Sequence, residues 1–438
     1  MTHKIVIVGG GAGGLPLACV LGDKLGRKGV AEITLVDHLE THVWKPLLHE
    51  VAAGRMDVDM HGIDYLTLAH WHRFRFRQGH VVGLDRSRRE LHLSAVKFEN
   101  GDEMLPPRTL TYDTLILCVG SISNDFGIPG VAEHAISLDT ALDAERFHRL
   151  LLGVCVRADS RAASGGSPLV DIVIIGAGAT GVELAAEIRQ TTRAHAGYGL
   201  DHLDTVNDIH LTLLEAAPRI LPQLSEKIAE AATELLAQLK IDVQSGEPVA
   251  EVMRDGVRTR SGRFFHADLV VWAAGIKAPA WLNELDGLEV NRINQLVVLP
   301  TLQTTRDPNI FAFGDCAACP RIEPEHAGLL VPPRAQAAHQ QATMLVKSMR
   351  LRLEGKPLPE FRFQDYGSLV SLGELSAVGN LMGRLIGGNM VIQGLIARVM
   401  YASLYKLHQI SIYGYLRVAL DTIGRFLRRR LEPRVKLH

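Results

Sequence analysis

Lys4-Ile5-Val6-Ile7-Val8-Gly9-Gly10-Gly11-Ala12-Gly13-Gly14 is a short apolar run that breaks into glycine, and the helix-like stretch Leu15–Leu25 follows it. Gly9, Gly11 and Gly14 have the G-x-G-x-x-G spacing between a strand and a helix. In that pattern the first Gly allows the tight turn and the second lets the backbone approach a pyrophosphate. The third packs helix on strand, and the helix N-terminus faces the phosphates. Ile33–Val36 reads as the next strand and ends in Asp37, where a carboxylate would bond ribose hydroxyls. One such turn is weak evidence, because Gly-rich turns arise for many reasons.

The same pattern recurs. Asp171–Ile175 is a strand, Gly176-Ala177-Gly178-Ala179-Thr180-Gly181 a turn and Val182–Gln190 a helix, while His210–Leu214 ends in Glu215. Gly181 and Glu215 are farther apart than the usual ~20 residues, and the polar segment Thr191–Asp208 accounts for the excess. Two further buried strands mirror each other, Thr114–Val119 ending at Gly120 and Leu269–Ala274 ending at Gly275. The fold expected is therefore α/β, with two Rossmann-type dinucleotide-binding domains related by internal duplication.

One dinucleotide should be a fixed flavin and the other a diffusible nicotinamide. Ile310–Phe313 ends in Gly314-Asp315. In flavoproteins with two dinucleotide sites, an Asp at such a strand end holds the ribityl chain. The alternative is a plain turn with an N-cap Asp. The reading places FAD with residues 1–120 and 305–375 and NADH with roughly 168–290. Glu215 would repel a 2′-phosphate and favour NADH over NADPH, and Arg219 nearby weakens that preference slightly. Ser160–Pro168, rich in Ser, Ala and Gly, reads as a linker. The expected division is 1–167 and 301–375 for FAD, 168–300 for NADH and 376–438 for a C-terminal region.

Composition narrows the function classes. At 438 residues, 47% hydrophobic and 22% charged, the chain is too long for one core and too apolar for disorder. Lys+Arg (47) and Asp+Glu (48) nearly cancel, which argues against a nucleic-acid partner. The N-terminus shows no signal-peptide pattern. Five scattered Cys do not form a disulfide framework. Thr41–Gly54 contains no Cys, which excludes a disulfide relay there, and there is no Cys after Cys319. Cys316 and Cys319 form a lone C-x-x-C with no second pair at zinc spacing, so they read as structural thiols and no metal is assigned.

Pro332-Pro333 sets a helix start, and Gln336 and Gln340 then share one helix face with small Ala residues between them. Two amides so placed could hold a quinone carbonyl; by themselves such a pair is more often simply exposed helix polar residues. Over essentially its whole length the chain resembles the type II NADH:quinone oxidoreductases, single-subunit respiratory NADH dehydrogenases, and most closely the proteobacterial branch. The resemblance is carried by Gly9–Gly14, Trp44-Lys45-Pro46-Leu47-Leu48-His49-Glu50-Val51, Gly176–Leu184, Val271–Pro279, Phe313-Gly314-Asp315-Cys316 and the Ala335–Gln340 stretch. That last stretch matches the family's A-Q-x-A-x-Q quinone motif. The resemblance implies hydride transfer from NADH to FAD, then two electrons to a membrane quinone, without proton pumping. It implies cofactor contacts at Lys45 and Pro46, and places Glu183 where nicotinamide meets flavin; otherwise Glu183 is an acid favoured by the helix dipole. Tyr366 stands where many members carry a Lys. A sulfide:quinone oxidoreductase would need a distal Cys pair that this sequence lacks.

The tail is strongly basic. From residue 384 onward the bases are Arg384, Arg398, Lys406, Arg417, Arg425, Arg428, Arg429, Arg430, Arg434 and Lys436, against only Asp421 and Glu432. The longest charge-free stretch there, Leu385–Ala397, is too short and too Gly-rich to span a bilayer. Arg398–Leu407 and Leu416–Arg430 read as amphipathic helices, with Arg417, Asp421, Arg425 and Arg428 recurring on one face. Such helices lie in the interface of anionic membranes. The expectation is a peripheral protein on the cytoplasmic face of the bacterial inner membrane, held to inner-leaflet lipid. A packing or homodimer role for these helices is compatible with that.

Overall fold

The computed structural model describes residues 2–58, 62–195, 200–371, 377–381, 390–393 and 395–428. Residues 385–389 and 394 of the glycine-broken stretch Leu385–Ala397 lie outside them, as do Arg384, Arg429, Arg430, Arg434 and Lys436. The chain forms two compact units. The first comprises residues 1–44, 62–122 and 276–364, the second residues 45–61, 123–275 and 365–438.

The first unit is built on a six-stranded sheet in the order Gln303–Thr304, Asp307–Ala312, Thr114–Leu117, His3–Val8, Ala31–Asp37, Arg75–Gln78. All pairings are parallel except Gln303–Thr304 with Asp307–Ala312. The continuous apolar runs noted in the sequence have a direct cause: Ile5, Ile7, Leu35, Leu115, Ile116 and Leu117 are at most 1% exposed, as strands covered on both faces must be. The Gly14–Leu21 helix packs against the helix Ala335–Leu353. The chain leaves the central strand His3–Val8 to pair on one side with Ala31–Asp37 and on the other with Thr114–Leu117. That reversal makes a crevice at the carboxyl end of His3–Val8, where open α/β sheets bind ligands.

The second unit repeats the plan. A five-stranded sheet runs Ala135–Ser137, Leu269–Trp272, Val170–Ile175, Ile209–Glu215, Ile241–Ser245, all parallel. Here Val170–Ile175 is the strand from which the order reverses. Helices Ala141–Ala163, Ala179–His195 and Glu226–Gln238 belong to this unit. A three-stranded antiparallel sheet, Gly367–Ser371, Ala377–Leu381 and Met390–Gln393, precedes helices Leu395–Tyr413 and Tyr415–Arg428.

Three local expectations change. The stretch read as a linker from Ser160 is still helix to Ala163, started by a capping box in which Thr140 and Asp143 bond each other's amides. The composition shift there marks the helix end at Ser164-Gly165-Gly166. The diproline does not open its helix, because Arg334 is the N-cap and Ala335 the first helical residue. The third sheet was not expected, since its strands are short and Gly-containing.

Candidate functional site

The two glycine turns have the same internal geometry. Gly9 has φ +104°, and a Cβ there would meet the Cys118 carbonyl; a Cβ on Gly14 would overlap the Gly9 carbonyl oxygen. Gly176 (φ +101°) and Gly181 stand in the same relation, the first against the Ala273 carbonyl and the third against the Gly176 oxygen. The first and third glycines are therefore required by the chain itself. The second is not: a Cβ on Gly11 or Gly178 would meet nothing within 4 Å. Glycine at those two places is explained only by something outside the chain approaching closely. Gly13, the N-cap of the first helix, supplies no side-chain cap, so the first-turn amides lack that partner. A dinucleotide pyrophosphate meets both conditions, and the residues fit one in each unit.

The acids behave alike. Asp37 Oδ2 accepts from the Gly10 amide at 2.6 Å, and Oδ1 from Leu39 at 2.9 Å. Burial would raise this carboxyl, but His38 and those two amides outweigh it and hold it below the usual carboxylate range. Glu215 accepts from Ala177 and Ala217, both at 2.8 Å. Each acid thus braces its own glycine turn, and a carboxylate has about four lone-pair sites, leaving room for ribose hydroxyls. Arg219, which could have compensated a 2′-phosphate, instead donates to the carbonyls of Leu221, Pro222 and Leu224.

Around the first turn, Tyr65 is fully buried and donates its hydroxyl to the Gly10 carbonyl at 3.0 Å. Burial pushes the buried His42 down to about 4, so its ring is neutral. Gly120 (φ +73°) has open space at its Cα. Asp315 sits in the turn Gly314–Cys316, where its Oδ2 accepts from Ser121 at 2.8 Å. The Gly314 amide donates to Gln341 Oε1 at 2.8 Å. Gln341, 2% exposed, was missed in the sequence because the motif points at its neighbour. Cys316 and Cys319 are free and buried, and burial raises both thiols to about 12; as buried thiols they suit packing rather than redox work.

The two glutamines differ. Gln340 clamps the backbone of Gln364, donating to its carbonyl at 2.7 Å and accepting its amide at 3.0 Å. Gln336 is half-buried and has no hydrogen-bond partner among the described residues. Among the described residues, the helix therefore presents one uncommitted amide and one engaged in fixing the chain at Gln364 beside it.

In the second unit Glu183 is 7% exposed. Its Oε1 accepts the Ser371 amide at 2.9 Å, and its Oε2 lies 3.5 Å from His49 Nδ1. One helical turn on, Glu187 pairs with Arg55 at 2.9 Å. Burial pushes His49 down to about 4, the Pro46 carbonyl opposes this, and the Arg55 charge lowers it further, so the imidazole is neutral. Lys45 Nζ is 3.4 Å from Asp139, and Lys45 and Pro46 form a turn that leads into the Leu48–Ala52 helix. Gly275 (φ +67°) has the Phe126 ring against its Cα. His49, Arg55 and Glu187 were given no role from sequence; Glu187 shares the helix of Glu183, and tertiary packing brings His49 and Arg55 to that helix.

Among the described residues no helix is long and apolar enough to cross a membrane. The Tyr415–Arg428 helix, set off from its predecessor at Gly414 (φ +77°), carries Leu416, Leu420 and Ile423 exposed in one row at i, i+4 and i+7. Val418 faces the other way and is buried, and Lys406 lies 3.7 Å from Asp421, linking the two helices.

The pyridine nucleotide-disulphide oxidoreductase family matches residues 3–342. The type II NADH:quinone oxidoreductase of Haemophilus influenzae is 42% identical over 99% of this chain and 100% of its own. Its Staphylococcus aureus counterpart is 26% identical over 88% and 91%. Among solved structures, NDH2 from Plasmodium falciparum in complex with NADH superposes over 100% of both chains with a TM-score of 0.80 at 18% identity. The sulfide:quinone oxidoreductase of Aquifex aeolicus shares the fold at TM-score 0.71 and 17% identity over 99% and 96%. With two dinucleotide turns of one geometry and an end-to-end match to a curated member, this chain belongs to the type II NADH:quinone oxidoreductase family.

Proposed function

We propose that this chain oxidises NADH and reduces a membrane quinone, giving NAD+ and quinol without pumping protons. The observation that supports this most directly is the pair of open second glycines, Gly11 and Gly178, in a chain with an end-to-end match to the family. When bound, FAD supplies hydride acceptance and two-electron delivery. The protein supplies positioning and a fixed electrostatic environment.

In this reading the first unit holds FAD. Gly9, Gly11 and Gly14 admit the pyrophosphate, Asp37 binds ribose, and Gly120, Gly314 and Asp315 serve the rest of the cofactor. The second unit holds NADH through Gly176, Gly178, Gly181, Glu215 and Gly275. Glu183, held by the Ser371 amide and flanked by neutral His49, orients the nicotinamide, with Lys45 and Pro46 forming the turn before the helix that carries His49. Gln336 offers its amide, unpartnered among the described residues, to a quinone carbonyl, and Gln340 keeps the neighbouring backbone in place for it.

Two results test the assignment. Gln336→Ala should cut quinone reduction by about tenfold or more, the loss of one hydrogen bond in a dry site. NADH should still bleach the flavin at the wild-type rate in a stopped-flow trace; loss of both half-reactions together would assign the helix a structural role. The wild type should prefer NADH, because Glu215 lies where a 2′-phosphate would go and Arg219 is committed to carbonyls. Glu215→Gln should narrow the NADH/NADPH ratio of kcat/KM. Equal use of both nucleotides by the wild type would refute the role of Glu215.

The exposed apolar row on the last helix, in a basic tail, supports docking on anionic lipid of the inner leaflet, on the cytoplasmic side. A homodimer through the same region is the second reading, since an uncovered apolar row also suits a second copy of the chain.

A further inference from the structure

A cluster of ligating side chains lies at the amino end of the central strands of the second unit's five-stranded sheet. Asp171 is the second residue of the Val170–Ile175 strand and pairs in register with His210 of the adjacent strand. Asp171 Oδ1 is 3.0 Å from His210 Nδ1, and Oδ2 is 3.3 Å from His266 Nδ1. Asp268 completes the group. Its side chain accepts the Asp171 amide at 2.9 Å, and its own amide donates to the Asp171 carbonyl at 2.8 Å. The ligand atoms of Asp171, His266 and Asp268 all lie within 4.8 Å of one another. His210 and His266 also line a cleft of about 380 Å³, with Lys240, Asp242 and Phe265 on its walls. One carboxylate is thus braced between two imidazoles, with a second carboxylate beside it, at a concave surface.

We propose that Asp171, His266 and Asp268 bind one divalent ion of the zinc class, with His210, which lies outside that close group and touches Asp171 alone, swinging in as the fourth ligand. Bonds of 2.0–2.2 Å in tetrahedral geometry put neighbouring ligand atoms about 3.4 Å apart. The Asp171–His266 pair is already at that separation. The remaining closure falls on side chains free to move: His210 and His266 are 52% and 60% exposed. Mixed imidazole and carboxylate donors select Zn2+, Co2+ or Ni2+ over Ca2+ and Mg2+, which favour all-oxygen shells. Two carboxylates neutralise the ion's charge. The ion would tie together three segments far apart in sequence, at residues 171, 210 and 266–268. It would stand about 16 Å, five strand residues, from the nucleotide turn at Gly176. The site is therefore a structural clip and takes no part in turnover. Sequence spacing could not show it, because the ligands come from three separate strands and loops.

The test titrates chelator-treated, flavin-loaded full-length protein with Co2+ and then Zn2+. One Co2+ per chain should bind, with ligand-field bands of an N/O site and no thiolate charge-transfer band, and Zn2+ should displace it. Zn2+ should raise the Tm, as any ligand of the native state does. His266→Ala and Asp171→Asn should each weaken Co2+ binding by at least about tenfold and remove the Tm gain, while NADH–quinone turnover stays at the wild-type value. Both imidazoles are surface groups, so His210→Ala and His266→Ala should fold normally. Absence of saturable binding, a thiolate band, or unchanged affinity in His266→Ala and His210→Ala would each overturn the proposal.

Discussion

Gly178→Val should give a yellow, fully folded protein whose KM for NADH is raised at least about a hundredfold, equivalent to about 2.7 kcal/mol of binding. The chain places nothing within 4 Å of a Cβ at this position, and the backbone there is not in the left-handed region, so the native fold has open space where the side chain begins. A pyrophosphate against the turn would not. Gly11→Val is the mirror experiment in the first unit and should yield folded but colourless protein. Gly14→Val and Gly181→Val differ from both, since each new Cβ would collide with a carbonyl of its own turn and disrupt the unit itself. Flavin-to-protein absorbance, far-UV circular dichroism and steady-state kinetics with a soluble quinone separate these outcomes. A Gly178→Val enzyme with wild-type KM would remove the nucleotide from the second turn. One that lost its flavin would show that the two sites had been assigned to the wrong units.

The triple substitution Leu416→Glu, Leu420→Glu and Ile423→Glu should release the protein from anionic liposomes. These side chains are 74%, 62% and 59% exposed, so the change leaves the protein interior intact. Each apolar side chain moved from water into the interface contributes about 1.5–3 kcal/mol when fully buried, and each nearby base adds about 1 kcal/mol on an anionic surface. A loss on the order of 5 kcal/mol lowers partitioning by a factor of 10³ or more. Flavin reduction by NADH should be unaffected, and turnover with bilayer quinone should fall far more than with a small soluble quinone. High salt should weaken wild-type binding without abolishing it, because the apolar row is not screened. Deleting everything after Gly394 is a poorer test. His408, Gln409 and Ile412 are buried, so part of that tail belongs to the protein's interior. Equal pelleting of variant and wild type would make the row a packing or dimer surface.

The chemistry-bearing turns were legible in the sequence because their constraints are local. A strand, a glycine where φ must be positive, a glycine where a carbonyl leaves no room for Cβ and an acid at the next strand end all fall within some 40 residues of chain. The resemblance carried Lys45, Glu183 and Gln336, again through short motifs. Boundaries were less legible: the Ala141–Ala163 helix runs into a stretch whose composition suggests a linker, because capping at Thr140 and burial of Phe147, Leu151 and Ala158 outweigh weak local preferences. The work of individual side chains was not legible at all. Gln336 and Gln340 look equivalent on a helical face, yet only the fold sets Gln364 beside Gln340 and leaves Gln336 without a hydrogen-bond partner among the described residues. Burial, helped by the Arg55 charge, makes His49 neutral, and helix packing brings it to Glu183. Asp171, His210, His266 and Asp268 share no motif, and strand register makes them neighbours. The sequence by itself determined the duplicated nucleotide-binding architecture, since turn stereochemistry acts between residues adjacent in the chain. The tertiary structure decided which polar groups are occupied, buried or free, since those properties depend on residues that are distant in sequence and meet only when the sheets form.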